Sequence, residues 1–294
     1  MKKSFYLLLL LSGLGLPRPL SAQPLQPRNQ AKVYARFVPE RDDDFAWEND
    51  RVAFRVYGPA LQKKAERHLS GGLITSGVDC WFKRVDYPII DRWYQHMDYH
   101  KDHGEGLDCY NVGPSRGCGG TAIYYQGKYI VSQNFTHYKI LEQTPDKVVF
   151  QLYYAPVYIA GKPVRETKTI TMESGNHYYR CDVQFETDLH LEILATGLAL
   201  HQGHGEVRTS NRGWVAYWET LQGNGVGTAV WCAAPNYKGY HVEKRGNPNA
   251  WLHLALRYNR ATYYAGFTWT KAGHHQHLEE WLTYLKGQQS ALEK

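Results

Sequence analysis

The sequence predicts an all-β protein, a large antiparallel sandwich. Short runs of β-branched and aromatic residues recur about every 8 to 15 residues, bounded by Gly, Pro and Asn turns. Many of these runs alternate apolar and polar positions, the period of a half-buried strand. The aromatic complement, 23 Tyr, 9 Trp and 9 Phe in 294 residues, suits sheet faces better than helix seams.

The chain opens with Lys2 and Lys3 before an apolar run from Phe5 to Leu16, and Leu20-Ser21-Ala22 ends in small residues. That is the layout of a secretory signal peptide cleaved before Gln23. The run is shorter than the roughly 20 residues a spanning helix needs, and no cysteine follows the cleavage point to carry a lipid. Residues 1–22 are therefore expected as signal peptide, 23–31 as a Pro/Gln-rich leader, 32–287 as one domain and 288–294 as a tail. No second apolar run is long enough to cross a bilayer, so membrane insertion is not expected.

Strand signals begin with "RVAFRVYG", which puts Val52, Phe54 and Val56 on one face. They continue through "GTAIYYQGKYIVSQNFTHYKILEQT" and "KVVFQLYYAPVYIAGKPVRETKTITMES", with turns at Gly161-Lys162 and Ser174-Gly175. "NHYYRCDVQFET", "LEILATGLALHQG", "GWVAYWETL", "GVGTAVWCAAP", "AWLHLALRYN" and "ATYYAGFTWTKAG" follow. Two helices interrupt the pattern. "ALQKKAERHL" follows Pro59. "HHQHLEEWLTYLKG" sets Leu278, Trp281, Leu282 and Leu285 at helical spacing, with Gly287 as the expected stop.

Lys and Arg total 34 against 28 Asp and Glu, a net charge of +6. Removing Lys2, Lys3 and Arg18 with the leader lowers it to +3, too small and too dispersed an excess for a nucleic-acid binder. Five cysteines allow two disulfides at most, so this is not a disulfide scaffold. Cys181 and Cys232 sit in strand-like runs and read as buried thiols. Cys109 and Cys118, flanking "YNVGPSRG", are the best-placed pair for a disulfide, with two free thiols the alternative.

Polar clusters supply the candidate chemistry. "VPERDDDFAWENDRVAF" lacks the alternating ligands and glycine of a calcium loop. Its Arg41, Trp47, Glu48 and Asp50 would suit a sugar, with a ring to stack and forked polar groups around it. "SGVDCWFKRVDYPIIDRWYQ" has no clean period and reads as an extended loop, where Lys83 or Arg84 could neutralise a carboxylate. "DYHKDHGEGLDCYNVGPSRGCGG" carries Tyr99, His100, His103, Glu105, Asp108, Tyr110 and Arg116 on glycine-flexed backbone. Its histidine spacing fits no standard zinc motif, so neither a metal nor another cofactor is expected. "ALHQGHGEV" adds His201 and His204 at a strand end, with Glu206 beyond. His274, His275 and His277 read as structural groups at the start of the last helix.

Together, "ARFVPERDDDFAWENDRVAFRVYGPAL", "SGVDCWFKRVDYPIIDRWY", "YHKDHGEGLDCYNVGPSRGCGG" and "TYYAGFTWTKAGHHQHLEEWLTYL" resemble an exported bacterial domain-of-unknown-function family from polysaccharide-utilisation clusters. The resemblance covers essentially the whole mature chain. It implies a galactose-mutarotase-like β-supersandwich, a periplasmic or secreted location, and an acidic oligosaccharide as partner. It further implies carbon–oxygen lyase chemistry, a dehydration or β-elimination at a uronic acid. Such a reaction needs a group to neutralise the carboxylate, a base for the C5 proton and an acid for the C4 oxygen. By chemical type, Arg41, Lys83 and Arg84 are candidates for the first role, His100, His103 and His201 for the base, and Tyr99 or Tyr110 for the acid. Trp47, Glu48, Glu105, Asp108, Arg116 and His204 complete the expected substrate contacts. A mutarotase or epimerase, pairing a histidine with Glu206 or Glu219, is the alternative enzyme. A non-catalytic glycan-binding protein is the alternative outside enzymes.

Overall fold

A computed structural model describes residues 31–96 and 98–293, and Ala31–Lys294 forms one compact unit. The expected signal peptide and nearly all of the leader lie outside the described residues. Three antiparallel sheets build the β-supersandwich. The first has the order Tyr34–Val38, Asp44–Glu48, Ala53–Val56, Val78–Lys83, Gly106–Leu107. The largest has nine strands, and its centre is Arg260–Trp269, lodged between Asn224–Trp231 and Tyr178–Glu186. The third runs Tyr237–Val242, Asn249–Ala255, Ile193–Ala199, Cys118–Tyr125, Lys128–Ile130.

Local chemistry explains the hairpins. Ala160 and Gly161 both have positive φ between Val157–Ile159 and Lys162–Glu173, and Gln222 and Gly223 do the same between two longer strands. Consecutive left-handed residues match the twist of the strands they join. Strand Lys147–Tyr154 alternates buried and half-buried positions along its length, as the sequence pattern requires. The main core lies between the sheets. There Trp47 stacks on Phe54 at 5.5 Å, and Phe54 meets Tyr179 and Phe267 edge-on at 4.9 and 5.1 Å.

Among the described residues there are three α-helices: α1 (Pro59–Glu66), α2 (Ile90–His96) and α3 (Leu278–Ala291). The stretch read as an extended loop is instead the strand Val78–Lys83 followed by α2. All six positions of that strand are buried, so both faces are apolar or paired and no alternation survives to be seen. Gly287 does not stop α3. The helix continues because Trp281 and Leu285 seat it on Trp214, Ala216, Ala229 and Trp231 of the large sheet. An exposed mid-helix glycine costs only about 1 kcal/mol, less than that packing contributes. Beyond it, the buried Gln289 side chain donates to the carbonyls of Arg212 and Cys232.

All five cysteines are free thiols. The expected Cys109–Cys118 pairing gives way to separate environments. The Cys118 thiol, fully buried, donates to the Gly266 carbonyl at 3.3 Å, while Cys109 faces a cleft.

Candidate active site

Ile193–Ala199 ends in a tight turn over residues 200–205, closed by the Gly203 amide donating to the Leu200 carbonyl at 2.6 Å and tied further by one side chain. The Tyr217 hydroxyl donates to the Leu200 carbonyl at 2.9 Å and accepts from the Gly205 amide at 3.0 Å. Gly205 is required there, because a Cβ would lie 2.4 Å from the Trp218 carbonyl oxygen and 2.5 Å from the Tyr217 ring. His201 takes a left-handed backbone, φ 44°. That conformation is uncommon outside glycine and is held only where the surroundings enforce it.

The enforced geometry points His201 at Glu219. Nδ1 lies 2.7 Å from Glu219 Oε1, and the carboxylate is 8% exposed. A carboxylate only accepts, so Nδ1 carries a proton, and in the neutral imidazole the lone pair is then on Nε2. Nε2 is buried without a hydrogen-bond partner among the described residues. The Tyr110 ring meets the imidazole edge-on at 4.7 Å, and its hydroxyl is likewise buried and unpartnered. Burial pushes the Tyr110 hydroxyl well above its ordinary value, so it stays a proton donor at any physiological pH.

His201 and Glu219 line a cleft of about 1050 Å³, together with Cys109, Asn111, Gln202, His204, Glu206, Trp218 and Asn247. Burial, then the Asp108 and Asp79 carboxylates, push the Cys109 thiol up to about 12. It is therefore a neutral thiol and a poor nucleophile. Tyr217→Phe is expected to destabilise the fold by about 1 kcal/mol, because the Gly205 amide loses its acceptor while the Leu200 carbonyl keeps the Gly203 amide. Urea titration would read that loss. The same variant should also lower turnover, since His201 rides on the turn.

The other residues expected at the site have different placements. Trp47 is wholly buried in the aromatic core. Glu48 and Lys83 form a buried pair at 2.8 Å. Lys83 also donates to the Asn49 and Tyr87 carbonyls, and Glu48 accepts from the Ile89 and Ile90 amides. Arg84 forks onto Asp102 at 2.7 and 2.9 Å and donates to the Gly104 carbonyl, which braces the loop. Glu105 accepts from Tyr87, Arg92 and Trp93. Arg116, 4% exposed, donates to Ser76 Oγ and the Pro114 carbonyl. His100 and His103 are exposed, against the carbonyls of Asp108 and Asp98. Tyr99 stacks on Trp81 at 5.0 Å and accepts from Arg41 Nε at 3.2 Å. Of Arg41, Glu48, His100, His103 and His201, only His201 lines the cleft; His204 lines it as well, and Tyr110 packs against His201 without lining it.

Sequence reasoning missed a second polar centre beside the first sheet. Arg55 donates to Asp79 Oδ2 from Nη2 and Nε at 2.5 and 3.0 Å, and from Nη2 to Asp108 Oδ2 at 3.0 Å. Asp44 Oδ2 lies 3.9 Å from Nη1. All four side chains are at most 5% exposed. Desolvation raises Asp44 to about 6 against the pull of Arg55, and displaces Asp79 and Asp108 upward as well. The available signal was Arg55 itself, a charge alternating with Phe54 and Val56 in a buried strand. Among the described residues no group of three or more His, Cys, Asp or Glu is arranged to hold a metal ion.

Similarity to known proteins agrees with the sequence motifs. A family profile described as "Domain of unknown function (DUF4861)" matches residues 19–294. The chain belongs to that family. A relative from Formosa agariphila, "Uncharacterized protein P7", is 40% identical over 267 residues, 86% of this chain and 66% of the relative. The chain thus spans just under two thirds of that relative's length. Solved structures with a distant likeness include the alpha-N-acetylgalactosaminidase NagBb from Bifidobacterium bifidum, 10% identical with a TM-score of 0.38. It is matched over 82% of this chain and 35% of that chain. The GH36 alpha-galactosidase AgaB from Geobacillus stearothermophilus is 8% identical with a TM-score of 0.40, over 80% of this chain and 41% of that one.

Proposed function

We propose that this member of the family is an exported carbohydrate-active enzyme, and that it performs β-elimination at a uronic acid of an acidic oligosaccharide bound in the cleft. The observation that carries the reading is the His201–Glu219 pair, both lining a cleft of sugar size, with Nε2 unpartnered among the described residues. In this reading Nε2 takes the C5 proton, Glu219 stabilises the imidazolium that forms, and the Tyr110 hydroxyl, on the ring that packs edge-on against His201, is the candidate donor for the leaving C4 oxygen. Asn111, Gln202 and Asn247 offer amide donors to the carboxylate. The signal peptide expected over residues 1–22 supports an activity in the periplasm or outside the cell, and no step above calls on a metal.

One observation favours a second reading, mutarotation or epimerisation. None of the residues lining the cleft is Lys or Arg, and a neutral sugar needs no cation. A single assay separates the two. Uronate-capped oligosaccharides are incubated with the protein, with and without EDTA, while ultraviolet absorbance follows the conjugated enol-uronate. Elimination gives rising absorbance that EDTA leaves unchanged. Anomer or epimer exchange without absorbance supports the second reading. Binding with neither change would make the protein a glycan-binding module and sink both.

A further inference from the structure

The outer face of the third sheet carries an arrangement that the core does not explain. Cross-strand register places His241, Trp251, Gly197 and Gly120 in one row, and Gly239, His253, Ala195 and Ala122 in the next. Tyr124 and Tyr129 face each other at the far side. The middle of this face is therefore glycine and alanine, a flat floor walled by rings. Long side chains lie down across it from both edges. Tyr129 stacks on Trp251 at 4.2 Å with the planes 5° apart, and Tyr124 stacks on His253 at 4.9 Å. The Tyr129 hydroxyl and His253 Nε2 are 2.9 Å apart, which fixes the two layers to each other.

Trp251 is 2% exposed, whereas Tyr129, Tyr124 and His253 are half-buried and His241 is exposed. The upper rings thus meet solvent above a buried tryptophan. A flat aromatic surface rimmed by imidazole and phenol groups matches a pyranose, which has an apolar ring face and hydroxyls at its edge.

The platform and the cleft share strands, with the Arg116 side chain lying over Gly197 between them. Ala199 lines the cleft, and Gly197 and Ala195 of the same strand floor the platform. Pro248 also lines the cleft, and Trp251 follows three residues later, about 10 Å along an extended strand. Between them is the loop 243–249, closed at its base by the Glu243 amide donating to the Asn249 carbonyl at 2.9 Å. The Asn249 side chain donates to Glu243 and to the Asn247 carbonyl, so the base is tied twice. Its tip exposes Lys244 and Arg245, and Lys238 is exposed on the adjoining strand. None of the three makes an ion pair among the described residues. These cations border the route from cleft to platform, where they complement a negatively charged chain.

We propose that the cleft and this face form one extended binding surface, on which an acidic oligosaccharide continues past Lys244 and Arg245 and stacks a pyranose on Tyr129. The inference rests on the reading of the cleft as a carbohydrate site, and its test is independent of the chemistry there. Affinity is measured calorimetrically for size-fractionated oligogalacturonides and ulvan oligosaccharides, with cello-oligosaccharides as a neutral series. Wild-type affinity for the acidic series should rise with length beyond what the cleft alone holds. Tyr129→Ala should lower affinity for the long members about tenfold and leave the shortest unchanged. The exposed double variant Lys244→Ala/Arg245→Ala, which carries no folding risk from lost packing, should weaken long acidic chains and flatten their salt dependence. Affinity that stops rising at cleft length, equal affinities in all three proteins, or no binding by any ladder overturns the platform. Turnover kept in His201→Ala would instead overturn the cleft chemistry and leave the length dependence to decide this inference by itself.

Discussion

Arg55→Met is expected to cost the folded state about 3–5 kcal/mol at neutral pH, the usual loss when one partner of a buried charge cluster is removed. The substitution keeps most of the side-chain volume, so the loss is electrostatic rather than a cavity. Asp79 loses two direct hydrogen bonds and Asp108 one, and Asp44 loses its nearest positive charge. Lysine should not rescue the variant, because its single ammonium cannot reproduce the fork that serves two carboxylates at once. The pH dependence follows from the raised carboxyl values. A carboxyl held above its unfolded value keeps a proton in the folded state that the unfolded chain has released. Its contribution is complete below the unfolded range, near pH 4, and is lost as pH rises through the folded value, about 6 for Asp44. Arg55 limits that displacement, so without it the three carboxyls move further up and the loss extends to higher pH. The destabilisation measured by urea midpoint should accordingly be larger near pH 8 than near pH 5. A penalty independent of pH would show that Arg55 acts through packing alone.

The same centre illustrates where the sequence is legible. Strands with one face on the core, such as Lys147–Tyr154, announce themselves by alternation. Asp44–Glu48 and Val78–Lys83 are buried on both faces, and their polar residues are silent until partners arrive from elsewhere. Lys83 looks like a surface cation beside Arg84. It is buried because Glu48, 35 residues earlier, is brought opposite it by the first sheet. Chemical type therefore selected Lys83 for substrate contact when pairing had already occupied it. His201 was legible as a histidine at a strand end with glycines after it. Its partner was not, because the pairing of His201 with Glu219 depends on how the third sheet approaches the large one. Only the mutarotase alternative drew attention to Glu219. His100 and His103 carried the strongest local signal, yet Arg84 and Asp102 pin their loop against the body, away from the cleft lining. Glycine-rich titratable loops mark places where backbone must bend, and bending here serves to bring Asp108 to Arg55 and Tyr110 to His201.

His201→Ala is expected to lower turnover by about 10²–10⁴, the range for removing a positioned general base, with little change in substrate affinity. On the proposed reading affinity is spared, because the sugar would be held through many groups of the cleft while His201 would act on one proton. Glu219→Gln tests the pair more sharply. An amide can turn its oxygen to Nδ1–H and leave the lone pair on Nε2, or turn its NH₂ to Nδ1 and force the proton onto Nε2. The first orientation preserves the base but removes the charge that stabilises imidazolium, and the second abolishes the base. Both lower kcat, and neither changes the shape of the cleft. The expected signature is a fall in kcat at constant KM in both variants, with the double variant scarcely worse than His201→Ala because the two residues act as one unit. His100→Ala and His103→Ala, exposed and away from the cleft lining, are expected to stay within a few-fold of wild type. If they instead lose turnover while His201→Ala keeps it, proton transfer belongs to the 98–110 loop, and the cleft is where the sugar is held rather than where it reacts.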